Sequence, residues 1–588
     1  MQPISATFIL ALLTCLAATP VAEAASDNSA ARPNIIVILA DDMGYGDLGA
    51  TGNPVIRTPN LDRFAGESAE LTNFYVSPVC SPTRSCLMTG RYNYRTRVID
   101  TFKGRSMMDP AEVTIAEILS DAGYATGIFG KWHLGDNYPL RPQDQGFDEV
   151  LVHRGGGLAQ PSEPIENANR YTDPILFHNG KQVQTKGYCT DVYFDAAINF
   201  MKESRAAGKP FFVYLPPNAP HGPYHDVPED LLKYYQSIDL NPVLGKNTSE
   251  QHRDTVARVF AMVENIDQNF GKLDTYLANS GEKPNTIVLF FTDNGPNTNR
   301  YVGPFREMKS WVHEGGIHTA FFARWPGHFE PEFQNHNIAA HIDVLPTVLA
   351  AAGVDVPKSV KLDGRNVLPL LTGKDKDWPD RALFLQSHRG DAPVALHHFG
   401  MRTQDWKLVR PTGFGNESIA QQKPFELYRI DADPGESENV ADQFPEKLAE
   451  MKRLYQDWFR DVSSTRPDNY QPPRIIIGSD KERTTDLSIQ DWRVGDAAGW
   501  GSNGAWKVRI VNAGPYHASV RWDKTIGERE VTLHVGDRSF DGTLQADETS
   551  VIFPSVSLPL GETDVRVTVA GEKQTRGEVL RFVTFTQK

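Results

Sequence analysis

Four stretches of this chain share one pattern, an unbroken apolar run that stops abruptly on polar or charged residues. "NIIVILADD" (34–42) ends on two carboxylates and "ATGIFGKWH" (125–133) on a lysine and a histidine. "PFFVYLPPNAPH" (210–221) ends on a histidine, and "TIVLFFTDN" (286–294) on an Asp-Asn pair. A strand that is apolar on both faces must be covered on both, which is the condition of parallel strands between helix layers. Helical periodicity fills the intervals, in "PAEVTIAEILSDAGY" (110–124), which runs out at a glycine, and in "DTVARVFAMVENIDQNFGKLDTYLANSG" (254–281). The alternation predicts an α/β fold with a large, mostly parallel central sheet flanked by helices. Ligands of such sheets bind beyond the carboxyl ends of the strands, so the four polar termini are expected to converge on one edge.

From about residue 380 the pattern shortens. "WKLVR" and "FELYRI" precede the amphipathic "PEKLAEMKRLYQDWFRDV" (445–462). This predicts a small α+β subdomain over 381–462, following a main α/β domain over 33–380. Beyond the proline-bearing "SSTRPDNYQPPR" (463–474), the pieces "AWKVRIV", "ASVRW", "EVTLHV", "DVRVTV" and "LRFVTF" alternate apolar and polar between turn residues. A period of two predicts an appended antiparallel β-domain, a sandwich, over 475–588.

Composition narrows the function classes. The chain has 588 residues, 40% hydrophobic and 23% charged, which fits several packed units rather than disorder. A net charge of −14 argues against general nucleic-acid binding, because phosphate backbones select basic surfaces. An anionic substrate would need its basic residues concentrated in one site. The opening "MQPISATFILALLTCLAATPVAEA" (1–24) carries an apolar run ending in Ala22-Glu23-Ala24, the pattern of a cleaved signal peptide. A lipid-anchored reading through Cys15 fits poorly with Thr14 and the apolar residues beyond it. No later segment reaches the roughly 18 apolar residues of a membrane span. The mature protein is therefore expected to be exported, periplasmic or secreted, without a membrane span. Cleavage leaves Cys80, Cys86 and Cys189, an odd number for an oxidising compartment. Cys86 and Cys189 either pair or stay as buried thiols.

Asp41-Asp42 and Asp293-Asn294 end two of the predicted strands. Three acidic side chains brought together repel unless a cation neutralises them, and all-oxygen ligands suit Ca²⁺ or Mg²⁺. The alternative is that each pair merely caps the turn that follows it. Cys80 opens "CSPTRSCLMTGR" (80–91). A thiol is a poor ligand for a hard cation, so a cysteine beside such a site is either an ordinary half-buried residue at a helix start or something chemically special.

"CSPTRSCLMTGR" resembles the sulfatase signature, Cys-x-Pro-Ser/Thr-Arg followed by a helix and Thr-Gly-Arg. "PNIIVILADDMGYGDLG", "TPNLDRFAGES", "GYATGIFGKWHLG", "APHGPY", "FFTDNG", "MKSWVHEGG" and "ELYRIDADPGESENVA" also match blocks usual in that family, in family order, from about residue 33 to about 460. The resemblance is to the type I sulfatases of the alkaline-phosphatase-like fold. It implies that a formylglycine-generating maturation enzyme oxidises Cys80 to formylglycine (3-oxoalanine), whose hydrated aldehyde is the nucleophile. It further implies that Asp41, Asp42, Asp293 and Asn294 bind Ca²⁺, with Mg²⁺ as the alternative and position 80 completing the shell. Arg84 would hold the formylglycine oxygen, and Lys131 the sulfate. His133 would take the proton released when the gem-diol collapses. Lys309 would contact the sulfate and the bridging oxygen, His221 would protonate the departing alcohol, and Asp293 would act as base toward the attacking hydroxyl. One departure is visible: many sulfatases carry Arg two positions after "EGG", where this chain has His318.

The expected activity is release of inorganic sulfate from a sulfated carbohydrate, with aryl sulfates as surrogates. Two rivals stand beside it. A phosphonate or phosphodiester hydrolase of the same superfamily would typically offer an Asp-His pair where this chain has Asp293-Asn294. An inactive, sugar-binding homologue would not need the full residue set. "VHRGGGLAQP" (152–161) and "QSHRGD" (386–391) put His153, Arg154, His388 and Arg389 in loops where they would ring the pocket and hold the rest of the sugar, or stay as solvated charges. Trp492, Trp500 and Trp506 either stack on sugars or pack into the sandwich, and packing is the favoured reading.

Overall fold

The computed structural model describes Met1 and residues 32–374, 378–389, 392–415, 423–465, 470–493, 504–571 and 580–588. Residues 2–24 of the predicted signal peptide, with Cys15, and Trp500 lie outside the described residues.

The four apolar runs form adjacent parallel strands in a ten-stranded sheet. At its centre the order is Thr286–Thr292, Asn34–Ala40, Phe211–Leu215, Ala125–Lys131 and Glu149–His153, all parallel. Phe322–Arg324 pairs antiparallel on one side of this group and Ile175–His178 on the other. Both faces of the central strands are buried for the reason their composition predicts. In Asn34–Ala40, Ile36 and Ile38 pack under the helices Cys189–Ala206 and Glu250–Ser280, while Ile35, Val37 and Leu39 pack under Cys80–Thr89, Ile115–Asp121 and Val344–Ala352.

The predicted helices appear with shifted ends. The 110–124 pattern yields only Ile115–Asp121, because Thr114 forms a capping box: its hydroxyl accepts from Glu117 N (3.1 Å) and Glu117 Oε2 accepts from Thr114 N (2.8 Å). The 254–281 pattern begins earlier, at Glu250 behind an Ser249 cap, and ends where Gly281 takes a left-handed φ of 77°.

A four-stranded antiparallel sheet, Leu383–Gln386, Phe399–Arg402, Trp406–Arg410 and Glu426–Arg429, carries the helix Pro445–Ser463. Met451, Tyr455 and Trp458 of that helix share a core with Tyr92, Tyr94 and Ile99 of the main body. The C-terminal residues form two sheets of five and four strands around one core. Its pairing is antiparallel except where Ile475–Ile477 runs parallel to Trp506–Ile510, since that strand arrives from the linker and not through a hairpin. Trp492 and Trp506 are buried in this core, so they pack and do not present a sugar platform. Met107 and Leu140 of the main body belong to the same core, which fastens the sandwich to it. No helix among the described residues is long and apolar enough to cross a membrane.

Candidate active site

Register builds the acidic cluster. Asn34–Ala40 and Thr286–Thr292 pair in parallel with Ala40 opposite Thr292, so Asp41 and Asp293 leave the sheet side by side. Asp42 turns back in a left-handed conformation, φ 60°, uncommon for a residue with a Cβ. Arg300 holds that turn, donating to the Asp42 carbonyl (3.0 Å) while its Nε bonds Asp47 Oδ1 (2.8 Å). Gly295 is required next to the cluster, since a Cβ there would meet the Gly315 carbonyl at 1.9 Å.

Asp41, Asp42 and Asp293 are buried, with ligand oxygens within 4.8 Å of one another. Each meets a different cation. Asp41 Oδ2 lies 2.6 Å from Lys131 Nζ, Asp293 Oδ2 lies 2.7 Å from Arg84 Nη2, and Asp42 Oδ1 pairs with Lys309. Asn294 Nδ2 donates to Asp42 Oδ1 (2.8 Å). Burial and Asp41 push Asp293 up to about 7, against Arg84 and Lys131. Burial would raise Asp42 as well, but Lys309, His221 and Lys131 hold it well below the carboxylate range.

The donor set fits a hard cation. Asp41 Oδ1, Asp42 Oδ2 and Asn294 Oδ1 are buried oxygens without a hydrogen-bond partner, and buried polar atoms of this kind are ordinarily paired. Three such oxygens on carboxylates and an amide form the ligand chemistry of Ca²⁺ or Mg²⁺.

Cys80 opens the helix Cys80–Thr89, every residue of which is buried. Burial raises its thiol pKa despite Lys131 and Lys309, so the unmodified side chain is not a ready thiolate. His133 Nδ1 stands 3.5 Å from Cys80 Sγ, and its Nε2 donates to the Thr101 carbonyl (2.8 Å). Burial and then Lys131 push the His133 pKa well below the usual histidine value, leaving a neutral imidazole. Arg84 also donates to the Lys131 carbonyl (3.0 Å) and to Tyr214 Oη (3.3 Å). His221 Nδ1 donates to the Gly222 carbonyl (2.7 Å), and its Nε2 faces Asp42 Oδ2 at 3.7 Å. Burial brings His221 down to about 4, partly offset by Asp42.

The structure thus brings Asp41, Asp42, Cys80, Arg84, Lys131, His133, His221, Asp293, Asn294 and Lys309 into one linked cluster at the carboxyl edge of the sheet. Three of the four outer residues, Arg154, His388 and His153, are paired or buried within the protein. The Arg154 guanidinium, expected to hold the sugar, pairs with Asp486 of the C-terminal sandwich at 2.8 Å and lies over the Phe177 ring. His388 is fully buried and bonds Tyr94 Oη (2.5 Å), with the Val394 amide and carbonyl against its other nitrogen. His153 is likewise buried at a strand end. Arg389 remains partly exposed, 3.4 Å from Asp100 and above the Phe102 and Phe414 rings. His318, at the departure from the family pattern, bonds Glu314 Oε2 (2.8 Å) and the Thr72 carbonyl (2.7 Å), a structural role. Cys86 and Cys189 are separate buried thiols.

Sequence reasoning missed two glycines. A Cβ on Gly156 would come within 2.4 Å of His133 Cε1, and one on Gly157 within 3.0 Å of His221 Cε1. The run "RGGGL" (154–158) was the available signal, since consecutive glycines mark close backbone approach.

Comparison with known proteins identifies the family. The sulfatase family model matches residues 33–354, and the model of the C-terminal part of N-sulphoglucosamine sulphohydrolase matches residues 306–460. Dog N-acetylgalactosamine-6-sulfatase is 33% identical over 84% of this chain and 95% of its own length. Human arylsulfatase A is 31% identical over 72% of this chain and 87% of its own. The solved structure of Ps i-CgsB with k-i-k-neocarrahexaose superposes with a TM-score of 0.64 at 28% identity, covering 74% of this chain and 94% of that one. The chain belongs to the sulfatase family, with the alkaline-phosphatase-like fold, and is an enzyme with sulfatase activity.

Proposed function

We propose that the protein cleaves the sulfate ester of a sulfated saccharide, with Cys80 converted to formylglycine by a maturation enzyme. The observation that carries this reading is the convergence of Arg84, Lys131, Lys309 and His221 on Asp293, Asp41 and Asp42, with His133 at 3.5 Å from Cys80 and three unpartnered oxygens on Asp41, Asp42 and Asn294. Cys80 is 2% exposed in the finished fold, so its oxidation belongs before folding is complete.

Charge explains the residue choice. Three carboxylates and three basic side chains offset one another, which leaves no net attraction for an anion. Asp41, Asp42, Asp293 and Asn294 would hold a Ca²⁺, whose two positive charges would make the site attractive to sulfate. Arg84 is fixed by the Lys131 carbonyl, Tyr214 and Asp293, and from there its charge acts on the oxygen of position 80. Lys131 and Lys309 then face charge that grows on the sulfate oxygens as the ester breaks; such fixed charges favour the transition state over the bound ester. Asp293 accepts the proton of the attacking hydroxyl. His133, neutral with its Nδ1 lone pair toward position 80, accepts a proton there. His221 is neutral at rest, and a bound anion offsets Lys131 and Lys309, raising its proton affinity so that Nε2 can protonate the departing alcohol.

The saccharide rests on the relatives: one is named for N-acetylgalactosamine-6-sulfate, and Ps i-CgsB was solved with a neocarrahexaose. The test is release of inorganic sulfate from a panel of sulfated oligosaccharides, beside nitrophenyl sulfate and matching phosphodiester and phosphonate esters. Turnover of a sulfated saccharide with weak or no phosphoryl turnover is expected. Preferential phosphoryl turnover, or sulfate release from aryl esters alone, would contradict it.

A further inference from the structure

The Thr101 carbonyl, which orients His133, receives a second donor from the far end of the chain. Gln490 Nε2 donates to Thr101 O at 2.9 Å, beside the 2.8 Å bond from His133 Nε2. A carbonyl oxygen has two lone pairs, so these two donors saturate it. The Gln490 backbone carbonyl accepts from Lys103 N (2.6 Å), so one residue grips both ends of the 101–103 segment. Gln490 is itself fixed: its amide donates to Ser488 Oγ (3.0 Å), and the Ser488 carbonyl accepts from Trp506 Nε1 (2.6 Å) inside the sandwich core.

Neighbouring strands of the sandwich hold the opposite wall. Asp486 pairs with Arg154, Ser488 Oγ lies 3.0 Å from Ser162 Oγ, and Arg581 donates to the Gln160 and Glu163 carbonyls. Between these anchors runs Gly156, packed on the His133 ring.

The tautomer follows from this arrangement. A carbonyl only accepts, so His133 Nε2 carries hydrogen and Nδ1 presents its lone pair to position 80. We infer that Gln490 is a positioning residue for His133, acting through the Thr101 carbonyl, and that the C-terminal sandwich completes the active-site wall. The inference rests on the proposed role of His133.

Gln490→Met keeps the length of the side chain and removes the donor, while Gln490→Glu turns the donor into an oxygen that repels the carbonyl. Both retain the backbone bond to Lys103. With nitrophenyl sulfate as probe, kcat is expected to fall about tenfold in Gln490→Met, the effect on a rate of losing one buried hydrogen bond, and further in Gln490→Glu. KM should stay at its wild-type value, and the melting temperature should fall only by the small amount that one lost hydrogen bond accounts for in Gln490→Met, and by more in Gln490→Glu. Unchanged kcat in both variants overturns the inference. So does a loss of kcat accompanied by a raised KM, or failure of both variants to fold, since each makes Gln490 scaffold only. His133→Ala in parallel separates the two claims: near-wild-type turnover there would remove the role of His133 itself.

Discussion

Lys131 Nζ lies 2.6 Å from Asp41 Oδ2, with neither side chain exposed. Removing one partner of a buried pair strands the other, typically at a cost of about 3–5 kcal/mol. Asp41→Asn also withdraws one negative ligand from the cation site. Wild-type protein stripped of metal should gain thermal stability when Ca²⁺ is restored; saturation at about 100 times Kd corresponds to roughly 2.7 kcal/mol. Asp41→Asn should show a much smaller gain and little turnover. A wild-type melting temperature indifferent to chelator and to Ca²⁺ would contradict the site.

His221→Ala should hurt most where the leaving alcohol is poor. General acid catalysis is typically worth about 10²–10⁴-fold, so a loss of that order is expected on a sugar sulfate and a far smaller one on nitrophenyl sulfate. Equal losses would assign the proton donor elsewhere.

Gly156→Ala places a methyl 2.4 Å from His133 Cε1, and the ring cannot retreat without breaking its bond to Thr101. A displacement approaching 1 Å at a reacting group can cost about 10²-fold, so kcat should fall by that order in a folded protein. Gly157→Ala, whose nearest contact is 3.0 Å from His221, should be milder. Steady-state kinetics of the pair on one substrate decide this, and equal effects would refute the contact argument.

Arg154→Ala is expected to loosen the joint with the sandwich. Its partner Asp486 also accepts from Thr584 Oγ1 (2.8 Å), so the lost ion pair is felt inside the sandwich sheet. The pair is part-buried, so thermal melting should show destabilisation between the values for exposed and buried pairs, about 1–3 kcal/mol. Turnover of sugar and aryl sulfates should fall together. A loss confined to saccharides, with stability unchanged, would return Arg154 to the substrate.

The sheet and the strand-end residues of the inner cluster were legible because each is written locally, whereas Cys80, Arg84 and Lys309 entered through the family resemblance. An apolar run such as 34–40 encodes burial on both faces, and the residue after it inherits its place from the strand register. What escaped is long-range polar pairing. Arg154 and Asp486 are 332 residues apart, and Gln490 and Thr101 are 389 apart, so no periodicity or spacing connects them. His388 in a loop-like "QSHRGD" appeared exposed because the segment is polar, yet Tyr94 and Val394 enclose it. Composition of a segment does not report which neighbour covers it. The parallel entry of Ile475–Ile477 escaped for a related reason, since alternation sets the faces of a strand but not its direction.

The central claim is that position 80 works as an aldehyde and not as a thiol. Its most direct test is the mass of the peptide spanning Cys80, taken from a preparation whose turnover has been measured, before and after co-expression with a formylglycine-generating enzyme. Turnover should rise in proportion to the fraction of peptide at the formylglycine mass, and Cys80→Ala should be inactive. An active preparation whose position-80 peptide is wholly unmodified cysteine would contradict the claim.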